Sequence, residues 1–282
     1  MAPSTLSLLV LIAALIAAAP ARAQRTVSCS PARVLKSGAA PTRVWRLGKP
    51  SGPVPLTLVI QIGSGVGSFD RTVTVRAVAR PTAAGDWTLA GDSVSVTDPG
   101  EAPFFRFGKE LTGRLHIDPD GRISAMNWTL PTAVSDPREA SYREATAHLL
   151  DMVAEIALGR GTMLPSAPVG TGARWRATSE QTNRQGAQSA TMKNALDWRL
   201  VRVEGTRATL AVAEVADVAP LTVEGKRMSA HGEIGGGAIV DAARPLPVEW
   251  TAHGFVEMHM EPNPPDRVTM NITLRTATEP EH

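Results

Sequence analysis

DWRLVRVEGTRATLAVAEV, residues 197–215, decides the fold class. Trp198 and Leu200 before Glu204-Gly205, and Ala208, Leu210 and Val212 after it, recur at every second position. A period of two is what a half-buried strand requires, and a glycine between two such runs supplies a turn. The stretch predicts two antiparallel strands meeting at Glu204-Gly205. A similar pattern occurs earlier in VTVRAVARPTAAGDWTLAGDSVSV, residues 73–96.

Further outward, LTLVIQI (56–62), RTVTVRAVA (71–79), FFRFGKELTGRLHID (104–118), PVEWTAHGFVEMHMEP (247–262) and RVTMNITLRT (267–276) continue the series of short strands. Two weak matches recur in the same order. RVWRL (43–47) pairs with ARWRA (173–177), and GRLHIDPDGRISAMNW (113–128) pairs with GAIVDAARPLPVEW (237–250). They suggest two related β halves.

One helix is expected between the halves, over about 137–158. Asp136 is placed to cap it, Pro137 suits its first turn, and Glu139 can complete a capping box. Tyr142, Ala145, Leu149, Met152, Val153 and Ile156 fall at three- and four-residue spacing and form an apolar stripe. Glu144, His148 and Asp151 lie on the opposite side and fit a solvated charged face.

The fold class expected is therefore α+β and mostly β. Two related antiparallel halves form one curved sheet, or a sandwich- or barrel-like core, around one long helix. The expected organisation is a signal peptide over 1–23, a flexible segment over 24–42, a first β half over 43–133, the helix region over 134–160, a second β half over 161–276 and a frayed tail over 277–282.

The signal peptide rests on LSLLVLIAALIAAA (6–19), which ends at Pro20 and precedes Ala21-Arg22-Ala23. About 14 apolar residues are too few for a bilayer that needs roughly 20, and the small-x-small pattern marks cleavage after Ala23. The mature chain of about 259 residues is expected to be periplasmic or extracellular, with no transmembrane segment. Its one cysteine, Cys29, has no internal disulfide partner, and Arg25-Thr26-Val27-Ser28 before it is no lipid-attachment box. The formal charge of +2 is a near balance of scattered charges. No basic run with interleaved aromatics occurs, so nucleic acid is not an expected partner.

Candidate chemistry is sparse, and no catalytic residue stands out. GSGVGSFD (63–70) superficially resembles a phosphate loop, but the next element is a strand and not a helix. His116, Asp118 and Asp120 cluster in sequence, yet Asp118-Pro119-Asp120-Gly121 is a hairpin turn that accounts for both acids. His231, Glu257 and His259 are the metal candidates. His253 and His259, about 20 Å apart along a strand at roughly 3.3 Å per residue, cannot share an ion. A solvent-facing polar strip is the competing reading. No Gly-x-Ser-x-Gly elbow is present, and Glu279 and Glu281 sit in the terminal segment.

Taken together, several motifs resemble a family of exported bacterial β-rich proteins of unknown function, many of them lipoproteins. These are Gly113-x-x-x-Ile117-x-x-x-Gly121 before the helix, Leu164-Pro165-x-x-Pro168-Val169-x-x-Gly172-x-x-Trp175 after it, and the HGEIGGGAIVDAARPLPVEW hairpin (231–250). The resemblance implies a fold and no activity, cofactor or catalytic residue. More distantly, a curved antiparallel sheet with a packed helix is similar to periplasmic carriers of lipids and lipoproteins.

The function expected is a non-catalytic envelope protein that binds or carries an apolar ligand or a partner segment, with no cofactor. Trp45, Trp128, Trp175 and Trp250 are the candidate lining residues, with Trp87 and Trp198 beside them and core packing as the competing role. A structural or protein-interaction module of the envelope is the alternative. A metal-dependent or serine hydrolase is the second alternative.

Overall fold

The computed structural model describes residues 24–30, 32–48, 52–64, 71–82, 86–117, 123–131, 134–157, 164–185, 188–223, 226–263 and 265–276. The expected signal peptide, most of the glycine-rich 63–70 segment, the turn at 118–121 and the terminal acids Glu279 and Glu281 lie outside the described residues.

The protein is mostly antiparallel β with one α-helix among the described residues. In the first part of the chain, β3 (Val54–Ser64), β4 (Arg71–Pro81), β5 (Asp86–Val96), β6 (Thr112–Ile117) and β7 (Ile123–Thr129) follow one another as sheet neighbours. After the helix α1 (Pro137–Ala157), the strands β8 (Arg174–Gln185), β9 (Gln188–Glu204), β10 (Arg207–Val223), β11 (Lys226–Asp241), β12 (Glu249–Met260) and β13 (Asp266–Thr276) do the same. β13 then pairs with β3 from Val268↔Ser64 to Thr276↔Leu56, which joins the two meanders into one open sheet. The turn expected at Glu204-Gly205 is present, and Gly205 has φ of 58°, a conformation that favours glycine.

Residues 24–42, expected as a flexible segment, contribute β1 (Gln24–Cys29) and β2 (Arg33–Lys36). Both pair with β8, whose otherwise open edge presents unpaired backbone groups to any neighbouring segment. Of the two matches, 113–128 and 237–250 each begin in one strand and end in the next, β6–β7 and β11–β12, whereas 43–47 and 173–177 do not occupy matching elements. Arg43–Leu47 makes a single bridge, Arg43↔Val169, whereas Ala173–Ala177 leads into a full strand.

Alternation sends one side chain in two to the core. A single row of cross-strand neighbours runs Trp175, Trp198, Val212, Gly236, Ala252, Ile272, Ile60, Val73, Val96 across eight further strand junctions from β8 to β5. Apart from Gly236, every member belongs to the buried apolar cluster or packs against it. A helix of 21 residues, about 31 Å long and 10–12 Å wide, covers only part of such a face. Burial of that face therefore requires the sheet to curl on itself, with the buried side inward.

Gly236 shows how tightly the β11 and β12 backbones approach. A Cβ there would lie 2.0 Å from the Thr251 carbonyl oxygen, whereas one on Gly235 would meet only the His253 ring, at 3.5 Å.

The helix begins as its sequence predicts, with the Asp136 carboxylate accepting the Arg138 amide at 2.8 Å. Its buried face includes Tyr142 and Leu149 of the expected stripe and adds residues beside them. Arg143 and Thr146 are buried together with Leu149 and Leu150, and Tyr142 is partly buried. Arg143 donates to both Glu110 carboxylate oxygens, at 2.7 and 2.9 Å, to Glu139 Oε1 at 2.7 and 2.9 Å, and to the Pro131 carbonyl at 3.0 Å. A guanidinium satisfied on all sides can be buried where a bare one cannot. Glu139 is thereby engaged by Arg143, where the sequence suggested a capping box. The side chains of Ala145, Met152, Val153 and Ile156, and of Glu144, His148 and Asp151, lie outside the described set.

Gly236→Ala is expected to destabilise the protein by about 2–3 kcal/mol through overpacking against the β12 backbone. Gly235→Ala should change stability by less than about 0.5 kcal/mol. Urea unfolding of both variants checks the pair, and equal losses would contradict the close approach at Gly236.

Candidate functional site

The four tryptophans expected to line a ligand site are all core residues. Trp45, Trp128, Trp175 and Trp250 are 3%, 7%, 1% and 1% exposed and belong to one continuous buried cluster with Trp87 and Trp198. Trp175 and Trp198 stand directly opposite each other on β8 and β9. Their indole N–H groups, and those of Trp45 and Trp250, are buried without an acceptor.

Beyond this core, the inner face changes character along the long strands. Two residues past the Trp175–Trp198 row lies the row Ala177, Leu196, Glu214, Ile234, Gly254, Met270, Ile62. The next holds Asn194, Ala216, Gly232, Val256 and Val268, and the one after it Met192, Val218, Ala230 and Met258. Met228 and Met260 pair just beyond. Five of the nine methionines of the chain thus share one end of one face. Val218, Ala230, Val256, Met192 and Met260 are only partly buried. Methionine is unbranched and polarisable, so such a surface adapts to irregular apolar shapes. Glu214 and Asn194, 8% and 4% exposed, set polar groups on the same face.

Where the helix docks, Arg71 reaches inward from β4 and forms an ion pair with Glu101, and the Tyr142 hydroxyl donates to Glu101 Oε1 at 3.1 Å. Burial, followed by the Glu101 charge, pushes the Tyr142 phenol above its ordinary pKa. Phe105 packs on Tyr142 at a ring separation of 5.5 Å. This network fastens the helix to the turn at Ala102–Phe105 and uses its charges in doing so.

The outer face carries a different order. Glu180, Lys193, Asp217, His231, Glu257 and Arg267 are consecutive cross-strand neighbours from β8 to β13, alternating in sign across six strands. Opposite charges in direct register stabilise neighbouring strands, each pair modestly. His231 Nδ1 lies 2.7 Å from Asp217 and Nε2 3.5 Å from Glu233, while His259 Nε2 lies 2.9 Å from Glu257.

In this geometry the metal candidates His231, Glu257 and His259 bond in separate pairs. Although His231 and Glu257 are opposite in register, His231 bonds to Asp217 on the other neighbouring strand and only His259 bonds to Glu257. Among the described residues no three His, Cys, Asp or Glu side chains are grouped to hold a metal. His116 likewise pairs across its strand with Asp86, at 2.6 Å. Among the described helices, none is long and apolar enough to cross a membrane.

Against these features stand the comparisons with known proteins: no family model, curated protein or solved structure matches the chain.

Alternation within PVEWTAHGFVEMHMEP puts Val256, Met258 and Met260 on one apolar side of their strand, and the structure buries or partly buries all three. That reading missed Met192, Met228, Met270, Glu214 and Asn194 as their neighbours. Alternation within each strand was the available signal, but which alternations share a row depends on register.

The hydrogen bond to Asp217, aided by Glu233 and opposed by burial, raises the His231 pKa above its ordinary 6.5. A raised folded-state pKa means the protonated ring is favoured by folding. Its stabilisation is complete below pH 6.5 and disappears as pH climbs through the raised value. His231→Gln should flatten that part of the stability-versus-pH curve, and a two-dimensional NMR titration should find the His231 midpoint above 6.5. A midpoint below it would remove the basis for this pH dependence.

Proposed function

We propose that the protein is an exported, non-catalytic binding or carrier protein for an apolar ligand, held on the inner face at the methionine-rich end of β9–β13. The observation that carries this reading is the partly exposed apolar surface of Met192, Val218, Ala230, Val256 and Met260, continuous with buried Met228, Met258 and Met270. Surfaces of that composition receive acyl chains or apolar segments of varied shape. The tryptophans expected to contact ligand then act as the packed floor of the site.

The polar groups bordering this surface narrow the ligand class. Glu214 and Asn194 lie on it, in the two rows between the packed Trp175–Trp198 row and Met192. An acyl amphiphile with hydroxyl groups would place its chain on the methionines and its polar head toward Glu214 and Asn194. The second meander would form the site's wall, and the first would extend the same inner face through the β13–β3 pairing.

An environment-sensitive N-phenylnaphthylamine probe tests the reading. The expected result is saturable enhancement of probe fluorescence that a long-chain monoacylglycerol competes away. Ala230→Trp, which fills the partly exposed row between Val218 and Met258, should weaken probe binding about tenfold or more while leaving the far-ultraviolet circular dichroism unchanged. Absence of saturable binding by the wild-type protein would sink the proposal.

A further inference from the structure

We infer that the outer face at the β2 edge docks on an anionic phospholipid surface. In the pairing of β2, β8 and β9, Lys36 stands opposite Arg174, and Arg174 stands opposite Arg199. One row away, Arg33 stands opposite Arg176, and Arg176 opposite Asp197. All five cations are exposed, and the single carboxylate is already held by Arg176 through hydrogen bonds of 2.8 and 2.6 Å.

Like charges directly opposite each other destabilise a sheet, and elsewhere this protein alternates its charges across the strands. Three cations in one row therefore stand against the rule the rest of the outer face follows. An anionic partner relieves that repulsion.

The apolar component of the same region selects a bilayer over a purely ionic partner. Leu35 is the extra residue of the bulge between Val34 and Lys36 and is 53% exposed. Val201 is the extra residue of the β9 bulge, two positions beyond Arg199, and is 45% exposed. Bulges re-aim side chains and occur at sheet edges, and here each one exposes an aliphatic group beside a cation. Cations that meet phosphate headgroups, with aliphatic side chains entering the interface, are a membrane-surface combination. The tryptophans between these cations in the chain, Trp175 and Trp198, are buried on the opposite face, so the cationic surface carries no aromatic platform of the kind single-stranded nucleic acid stacks on.

The patch lies on the face opposite the methionine surface, and its test does not depend on ligand binding there. The full chain after signal removal is sedimented with phosphatidylcholine vesicles, with and without phosphatidylglycerol. Binding is expected only with phosphatidylglycerol, weakening as salt is raised. Each neutralised cation should cost roughly fivefold in partitioning, so Lys36→Gln/Arg174→Gln/Arg199→Gln should lose about a hundredfold.

A control, Arg76→Gln/Arg80→Gln/Arg114→Gln, removes the same charge from exposed positions elsewhere and should keep most of the binding. Thermal melts establish that both variants are folded, and Arg199→Gln alone, with about a fivefold loss, serves if the triple variant is not. No binding to phosphatidylglycerol vesicles, or equal loss in patch and control variants, would overturn the inference. Retention on heparin without vesicle binding would overturn it too, by assigning the patch to a soluble polyanion.

Discussion

The pairing of β13 with β3 is the constraint on which the rest of the structure depends. It brings residues 268–276 against residues 56–64 in an antiparallel ladder. Without it the chain would hold two separate meanders, each with one apolar face and two open edges. With it, rows of side chains run unbroken from the tryptophans of β8 and β9 to the valines of β4 and β5. Most other pairings join strands that are also neighbours in the chain, so their loops close at little entropic cost. The β13–β3 ladder closes almost the whole chain, and so it depends on the apolar rows that it completes.

Side-chain volume along those rows divides the inner face. Large indoles and leucines fill the end formed by the chain around Trp45, Trp175, Trp198 and Trp250. Glycine and alanine continue the Trp175–Trp198 row on β11 and β12, at Gly236 and Ala252, where the Gly236 position leaves no room for a Cβ. Beyond them come methionines with smaller residues, partly open to solvent. One sheet thus contains a region packed to exclude anything else and a region able to adapt, joined by strands as long as 17 residues.

The outer face is organised by charge. An alternating ladder from Glu180 to Arg267 neutralises itself strand by strand, whereas the β2 edge concentrates like charges in register. The contrast matters because both arrangements use the same backbone geometry and differ only in what faces what. The helix joins the sheet through charge as well, by way of Arg143 and the Arg71–Glu101 pair, and its buried arginine is tolerable because two carboxylates and a carbonyl surround it.

Much of the framework was legible in the chain. The turn at Glu204-Gly205, the cap at Asp136 and the alternation of each strand are local, set by steric preference and by hydrogen bonds between near neighbours, so the sequence by itself determined a β-rich fold with a helix over about 137–158, which the structure shows over Pro137–Ala157. The buried Arg143 was not legible, because an arginine on a helix face looks solvated until Glu110, 33 residues away, is placed beside it. Nor were the methionine surface, the charge ladder and the like-charged row, whose members are scattered along the chain with no period linking them. Only the tertiary structure decided these, since cross-strand register carries each residue to its neighbours, and a shift by one position would send every one of those side chains to the opposite face.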